Sequence, residues 1–175
     1  MNNGFHWNKW TRKTHHWGAI VILIPIMIII GSGILLQVKK EIDWIQPPTL
    51  KGIIKNNPSI SFDEILSIAK TVSEIKINSW ADIDRLDVRI NKGLVKVRSK
   101  NNWEVQIDTQ TGKVLQVAYR RSDIIESIHD GSWFHDKAKL WIFLPTGLIL
   151  LILWLTGVYM VVLPYTVKWK RNRKS

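Results

Sequence analysis

Residues 17–38 read WGAIVILIPIMIIIGSGILLQV, and no ionisable side chain interrupts them. These 22 residues, at about 1.5 Å rise each, make roughly 33 Å of helix, enough to cross the hydrocarbon core of a bilayer. Residues 140–163, LWIFLPTGLILLILWLTGVYMVVL, repeat the pattern over 24 uncharged residues. Both are expected to be transmembrane helices. The first follows Lys9, Arg12 and Lys13 as a secretory leader would, but its apolar run exceeds the roughly 7–15 residues of a leader. Its end, LLQVKKEIDW, offers no small-x-small cleavage site, so a retained anchor is expected.

The charge sorts along the chain. Lys and Arg number 25 against 14 Asp and Glu, a net +11 over 175 residues. Residues 1–16 carry three basic groups and no acid; residues 164–175 carry Lys168, Lys170, Arg171, Arg173 and Lys174, again without an acid. Residues 39–139 hold 17 basic and 14 acidic groups and are nearly balanced. By the positive-inside rule both termini are cytoplasmic and the central segment is periplasmic, as in a protein of the bacterial inner membrane. The basic excess is thus a topology signal that favours anionic lipid headgroups, and nucleic acid is not an expected partner. Trp7, Trp10, Trp17 and Trp169 fall near the inner ends of the spans and Trp44, Trp133 and Trp141 near the outer ends, with Trp154 inside the second span. That is the distribution of an interfacial aromatic belt.

Between the spans the periodicity changes. Gln46-Pro47-Pro48-Thr49 makes a stiff exit from the membrane, and a linker is expected to Pro58. Ser61-Phe62-Asp63-Glu64 has the form of a capping box, Ser61 as N-cap and Glu64 three positions on, opening a helix expected to end near Glu74. From Leu86 the apolar residues alternate. Leu86, Val88 and Ile90 are followed by turn residues Asn91-Lys92-Gly93, then by strands near 94–100, 103–108 and 113–119. Asn101-Asn102 and Asp108-Thr109-Gln110-Thr111-Gly112 separate them. In the third strand Trp103, Val105 and Ile107 face one way and Glu104, Gln106 and Asp108 the other. The fold class expected is a membrane protein: two transmembrane α-helices flank a small α+β extracytoplasmic domain, one helix on a four-stranded antiparallel meander. Its parts are a cytoplasmic tail 1–16, spans 17–38 and 140–163, a linker 39–60, the domain 61–120, an interfacial segment 121–139 and a basic tail 164–175.

The hairpin Trp103-Glu104-Val105-Gln106-Ile107-Asp108 with Thr111-Gly112-Lys113-Val114-Leu115 resembles the final hairpin of the PepSY domain. Four flanking stretches look like the PepSY-associated transmembrane helix family: Arg12-Lys13-Thr14-His15-His16-Trp17, Ser32-Gly33, Ser127-Ile128-His129-Asp130-Gly131-Ser132 and Trp154-Leu155-Thr156-Gly157-Val158-Tyr159. The resemblance covers nearly the whole chain, which has two spans where larger relatives have four. It implies a link to iron acquisition, because those relatives include inner-membrane proteins implicated in reducing ferric siderophores, and it implies haem b held by histidines at the membrane edge. The candidate haem ligands are His15, His16, His129 and His135. Adjacent residues on a helix project about 100° apart, so only one of His15 and His16 can face a partner helix. His15/His16 and His129 belong to opposite mouths of the spans, so one chain cannot clamp a single iron between them. A haem therefore requires a homodimer or a partner subunit of a membrane complex. The PepSY domain also occurs in peptidase propeptides, which implies the alternative of a binding or regulatory subunit engaging an envelope peptidase.

Other chemistry finds little footing. There is no cysteine, hence no thiolate metal site or cysteine nucleophile, and no zinc spacing, glycine-rich phosphate loop or Ser/His/Asp arrangement. If the chain is a redox protein it is an electron-transfer component needing an outside donor. Asp82-x-Asp84-x-x-Asp87 reads as a turn and a solvated strand face, and Arg120-Arg121 with Asp123 and Glu126 as a surface charge cluster. Gly18, Pro25 and Ser32 recur every seven residues on the first span, and Gly147, Trp154 and Gly157 share a face of the second. Small residues so placed allow close helix packing, within one chain or between chains.

Overall fold

A computed structural model describes residues 7–54 and 58–172. The chain divides into two compact units, Met1–Gly33 with Ser127–Ser175 and Ile34–Glu126.

The first unit is built on α1 (Trp7–Gln37) and α4 (Leu144–Asn172), the latter entered through a π-helical turn at Lys139–Phe143. Pro25 and Pro164 lie inside these helices, a placement common in membrane helices and rare in soluble ones. Only 11% of the apolar window of either helix is buried. A core helix of a soluble protein would be mostly covered. Here Ile24, Met27 and Trp141 stand 70% or more exposed, and lipid is the solvent that suits them. The chain is a membrane protein.

The two helices touch along a narrow seam. Ile22 and Leu153 are buried, and a Cβ added at Gly18 would come within 3.0 Å of Leu153 Cδ2. Ser32 is buried and Pro25 half-buried. Gly147 has open space around it and Trp154 is exposed, so these two look away from α1.

The second unit is a meander of β1 (Ile83–Arg89), β2 (Leu94–Ser99), β3 (Trp103–Asp108) and β4 (Val114–Tyr119), in sequence order and antiparallel throughout. One face carries Val95 opposite Ile107 and Val97 opposite Val105. Against it α2 (Phe62–Lys70) lays Ile65 and Ala69, and the chain beyond adds Ile75 and Ile77, closing an apolar core. The capping box forms as its residues require: Glu64 N–H donates to Ser61 Oγ at 3.2 Å and Ser61 N–H to Glu64 Oε2 at 2.7 Å. The helix stops at Lys70, earlier than Glu74. Thr71 turns its hydroxyl back onto the Ile68 carbonyl, and a single 3₁₀ turn at Ser73–Ile75 delivers Ile75 into the core. Gly112 adopts φ +69°, the left-handed conformation its turn demands. Asp82 caps its own 3₁₀ turn, Asp84 pairs with Arg85 and Asp87 with Arg89, so the acidic cluster is structural.

Two expectations are corrected here. The polar face of the sheet is covered: Lys96, Glu104, Gln106 and Asp108 are each no more than 3% exposed. The cover is the stretch expected to be a linker. Residues 48–53 run over that face, held by Leu50 N–H on Gln106 Oε1 (2.9 Å), Gln106 Nε2 on the Pro48 carbonyl (2.8 Å) and Ile53 N–H on Asp108 Oδ2 (2.7 Å). Arg120 is likewise not a surface residue. It is 4% exposed and lies in an ion cluster, while Arg121 stacks its guanidinium 4.5 Å from the Trp44 ring.

Candidate functional site

In the membrane-helix unit the candidate ligands separate by orientation. His15 faces α4: its Nδ1 is 3.1 Å from Thr156 Oγ1. The Thr156 hydroxyl proton is committed to the carbonyls of Ile152 and Leu153 at 2.9 and 3.0 Å, so the oxygen accepts and His15 Nδ1 donates. His129, in α3 (Arg121–Asp130), places Nδ1 3.0 Å from Ser32 Oγ and 3.1 Å from the Ile29 carbonyl. A carbonyl can only accept, and Ser32 gives its own proton to the Ile28 carbonyl at 2.6 Å. His129 Nδ1 therefore carries the hydrogen too.

Both rings share one consequence. With Nδ1–H anchored to an oxygen, the Nε2 lone pair remains, and no hydrogen bond among the described residues reaches it. That is the arrangement by which an outer hydrogen bond fixes the tautomer and orientation of a ligating imidazole. Small residues leave room for the rings, since a Cβ at Gly33 would be 3.3 Å from His129 Cε1 and one at Gly157 3.8 Å from His15 Cε1. The chemistry of these donors would suit a haem iron, one imidazole nitrogen at each mouth. Position 15 and position 32 are separated by a helical rise of about 25 Å, so the two sites are distinct and each offers one nitrogen.

His16 and His135 differ. His16 is exposed, its ring edge-on to Trp17 at 5.9 Å. His135 is exposed and spends Nδ1 as acceptor of the Lys137 N–H at 3.1 Å. Neither is oriented by a neighbouring helix. Among the described residues no group of three or more His, Asp or Glu is placed to hold a metal ion.

The segment after His129 is a charged turn. Asp130 Oδ1 accepts from the Ser132 N–H and hydroxyl (3.0 and 2.7 Å), and Oδ2 from Lys139 Nζ (2.7 Å). Partial burial pushes the Asp130 carboxyl up, but Lys139 and Ser132 outweigh it and hold it at about 2, below its ordinary 3.8. A depressed carboxyl stabilises the fold fully above its unfolded value and loses that contribution as pH falls through the folded one. In detergent, the gap in thermal midpoint between the parent and Asp130→Asn is expected to be constant above pH 5. It should close between pH 3.8 and about 2. A gap unchanged at pH 2 would assign the effect to side-chain shape rather than charge.

In the sheet unit, sequence reasoning missed a buried ionic centre. Glu104 receives Lys96 Nζ at 3.1 Å, Arg98 Nε at 3.2 Å, Arg120 Nη1 at 3.0 Å and Gln106 Nε2 at 3.0 Å. Arg120 also pairs with Asp123 at 3.1 Å. Burial lowers the Lys96 pKa. Glu104 opposes that shift, and Arg120 and Arg98 add to it. Burial raises the Asp123 carboxyl, but Arg120 and Ser122 bring it below the ordinary range. The signal in the sequence was the apolar character of the supposed linker around Ile45, Pro47 and Leu50: Ile45 is 2% exposed, Pro47 is buried and Leu50 half-buried.

Comparison with known proteins gives one match. The family model described as the PepSY-associated TM region covers residues 12–175. No curated protein and no solved structure matches. With the match running from the Arg12 entry of α1 through the sheet and α4, the chain belongs to the PepSY-associated TM region family.

Proposed function

We propose that this protein is a haem b-binding electron-transfer component of the bacterial inner membrane, both termini cytoplasmic, serving the reduction of ferric chelates outside the membrane. One observation carries the reading: the two histidines turned toward the neighbouring helix both lock Nδ1–H on an oxygen and leave Nε2 open. Bound haem supplies reversible one-electron iron chemistry at a potential set by its axial ligands and their hydrogen bonds. The chain's own part is to orient the imidazoles. Thr156 holds the ring of His15, and Ser32 with the Ile29 carbonyl holds that of His129. Because each mouth offers one nitrogen, a haem held there would need a further ligand from another copy or from a partner subunit.

The test is an absorption spectrum of full-length protein purified in detergent from haem-replete cells. A Soret band is expected, reduced by about half in His129→Ala or His15→Ala, lost in the double variant, and kept in His16→Ala and His135→Ala. Ser32→Ala is expected to keep haem but shift its reduction potential, a readout that a purely structural serine would leave alone. Colourless protein under these conditions would sink the proposal.

A second reading, a non-catalytic subunit whose soluble domain docks an envelope peptidase or a larger complex, is favoured by one feature. Phe62 and Trp80, 64% and 42% exposed, stack edge to face at 6.2 Å on the surface of the sheet unit. Aromatic pairs of this kind are enriched at protein interfaces. Colourless protein that co-purifies with a peptidase, and loses it in Trp80→Ala, would favour this reading.

A further inference from the structure

The covered face of the sheet opens at one side into a pocket of about 340 Å³ lined by Lys40, Gln46, Pro47, Pro48, Thr49, Arg89, Lys92, Lys96 and Arg98. Five of these nine are cations and none is an acid. Two carboxylates stand against them: Asp87 takes Arg89 at 2.7 Å, and Glu104 takes Lys96 and Arg98 while sharing itself with Arg120. Lys40 and Lys92 form no ion pair among the described residues. Arg98 spends Nε on Glu104, and its two Nη groups make no hydrogen bond there. Among the described residues no buried polar atom is left unsatisfied, so those groups are open to solvent on a residue that lines the pocket.

A solvated basic surface would let such side chains spread apart. Here part of the lining is fixed: Lys96 is 2% exposed, Arg89 is clamped to Asp87, and the Pro47-Pro48 pair adds rigid backbone. A cleft lined by one sign of charge with low-dielectric walls concentrates the opposite ion. Guanidinium and ammonium groups converging on a volume of this size match the several oxygens of a phosphate group, which Arg binds in a fork and Lys as a point charge.

We propose that this pocket binds a phosphate group, the headgroup of an anionic lipid being the source that its position favours. Lys40 follows the end of α1 at Gln37 by three residues, and that length of chain spans at most about 10 Å. The lysine is thus held within the headgroup layer at the end of the apolar helix. The pocket makes no use of the histidines, so it stands or falls independently of the haem reading.

Full-length protein in a nonionic detergent at low ionic strength can be titrated calorimetrically with short-chain phosphatidylglycerol, short-chain phosphatidylcholine and inorganic phosphate. Saturable binding of phosphatidylglycerol, at one site per chain, is expected. It should weaken on the order of tenfold or more in Lys40→Ala/Lys92→Ala, since each basic residue near an anionic surface contributes roughly fivefold. Neither lysine forms an ion pair among the described residues, so this variant is expected to leave the fold intact, and an unchanged thermal midpoint verifies that. Inorganic phosphate binding as tightly as the lipid, and equally sensitive to the two lysines, would keep the phosphate site and reassign its source to a soluble ion. Binding that is the same in parent and variant, or the same for the choline lipid, would overturn the proposal.

Discussion

Glu104→Gln is expected to destabilise the sheet unit by about 3–5 kcal/mol, the usual consequence of removing one partner from a buried ion cluster. Glu104 is 1% exposed and is the carboxylate on which Lys96, Arg98 and Arg120 converge. Neutralising it leaves three cations close together, with Asp123 balancing Arg120 alone. Glutamine preserves the shape and some of the hydrogen bonding, so the loss reports charge. The companion change, Lys96→Met, is expected to be nearly neutral, within about 1 kcal/mol, because Glu104 keeps Arg98 and Arg120 as partners, so no buried charge is left unpaired while the desolvation cost of the lysine is removed. The lowered pKa of Lys96 points the same way: burial, with Arg120 and Arg98 beside it, disfavours its charged form despite Glu104. Amide exchange of β2 and β3 in the full-length protein, in detergent, measures both. Protection should fall by about a hundredfold to several thousandfold in Glu104→Gln, at 1.36 kcal/mol per tenfold, and by no more than about fivefold in Lys96→Met. Equal losses in the two variants would show that packing, and not charge balance, holds this centre together.

The reason the cluster escaped sequence reading lies in what period-two alternation can and cannot say. Val105 and Ile107 announced the core face, and with Val95 and Val97 they form it. Lys96, Glu104, Gln106 and Asp108 announced only the other face, and a covered polar face reads the same as a solvated one. What covers it, residues 48–53, lies about fifty positions upstream, beyond any local pattern. The long helices were legible because a bilayer demands length and an absence of charge, both of which are written in consecutive residues. Ser61 and Glu64 were legible as a cap because their partners are three positions apart. The choice between His15 and His16 was not, since it depends on the rotation of α1 about its axis. Contact with Thr156, more than a hundred residues away, fixes that rotation. Arg120 and Arg121 failed in the same way: as neighbours on the chain they look alike, yet one enters the Glu104 cluster and the other stacks on Trp44.

The strap over the polar face makes the second large expectation, Gly93→Ala at about 2–4 kcal/mol. Gly93 has φ +64°, which costs an L residue roughly 1–2 kcal/mol by itself. An added Cβ would also be driven into the Ile53 carbonyl, and its nearest neighbours there are all backbone atoms. Backbone cannot rotate aside, so the strap itself must lift. Its hydrogen bonds from Gly52 N–H to the Lys92 carbonyl (2.8 Å) and from Ile53 N–H to Asp108 (2.7 Å) would then lengthen or break. Asp108 would lose one of the backbone donors that, against the effect of burial, keep its carboxyl below the ordinary range. Gly112→Ala provides the control: φ is nearly the same at +69°, but the atom met is Ile68 Cδ1 at 3.0 Å, the end of a flexible side chain. Only the conformational part, about 1–2 kcal/mol, is expected there. Gly52→Ala isolates the other part, because its Cβ would strike the Gly93 carbonyl and Asp108 Oδ2 with no positive φ involved. Thermal midpoints should therefore fall most for Gly93→Ala and least for Gly112→Ala. Exchange of the Gly52 and Ile53 amides should rise only in the variants that lift the strap. Since Pro47, Pro48 and Thr49 wall the basic pocket, those same variants should also weaken phosphatidylglycerol binding, while Gly112→Ala leaves it unchanged. If all three variants shift the midpoint equally and leave the strap amides protected, the close approach of Gly52 to Gly93 is not what seals this face.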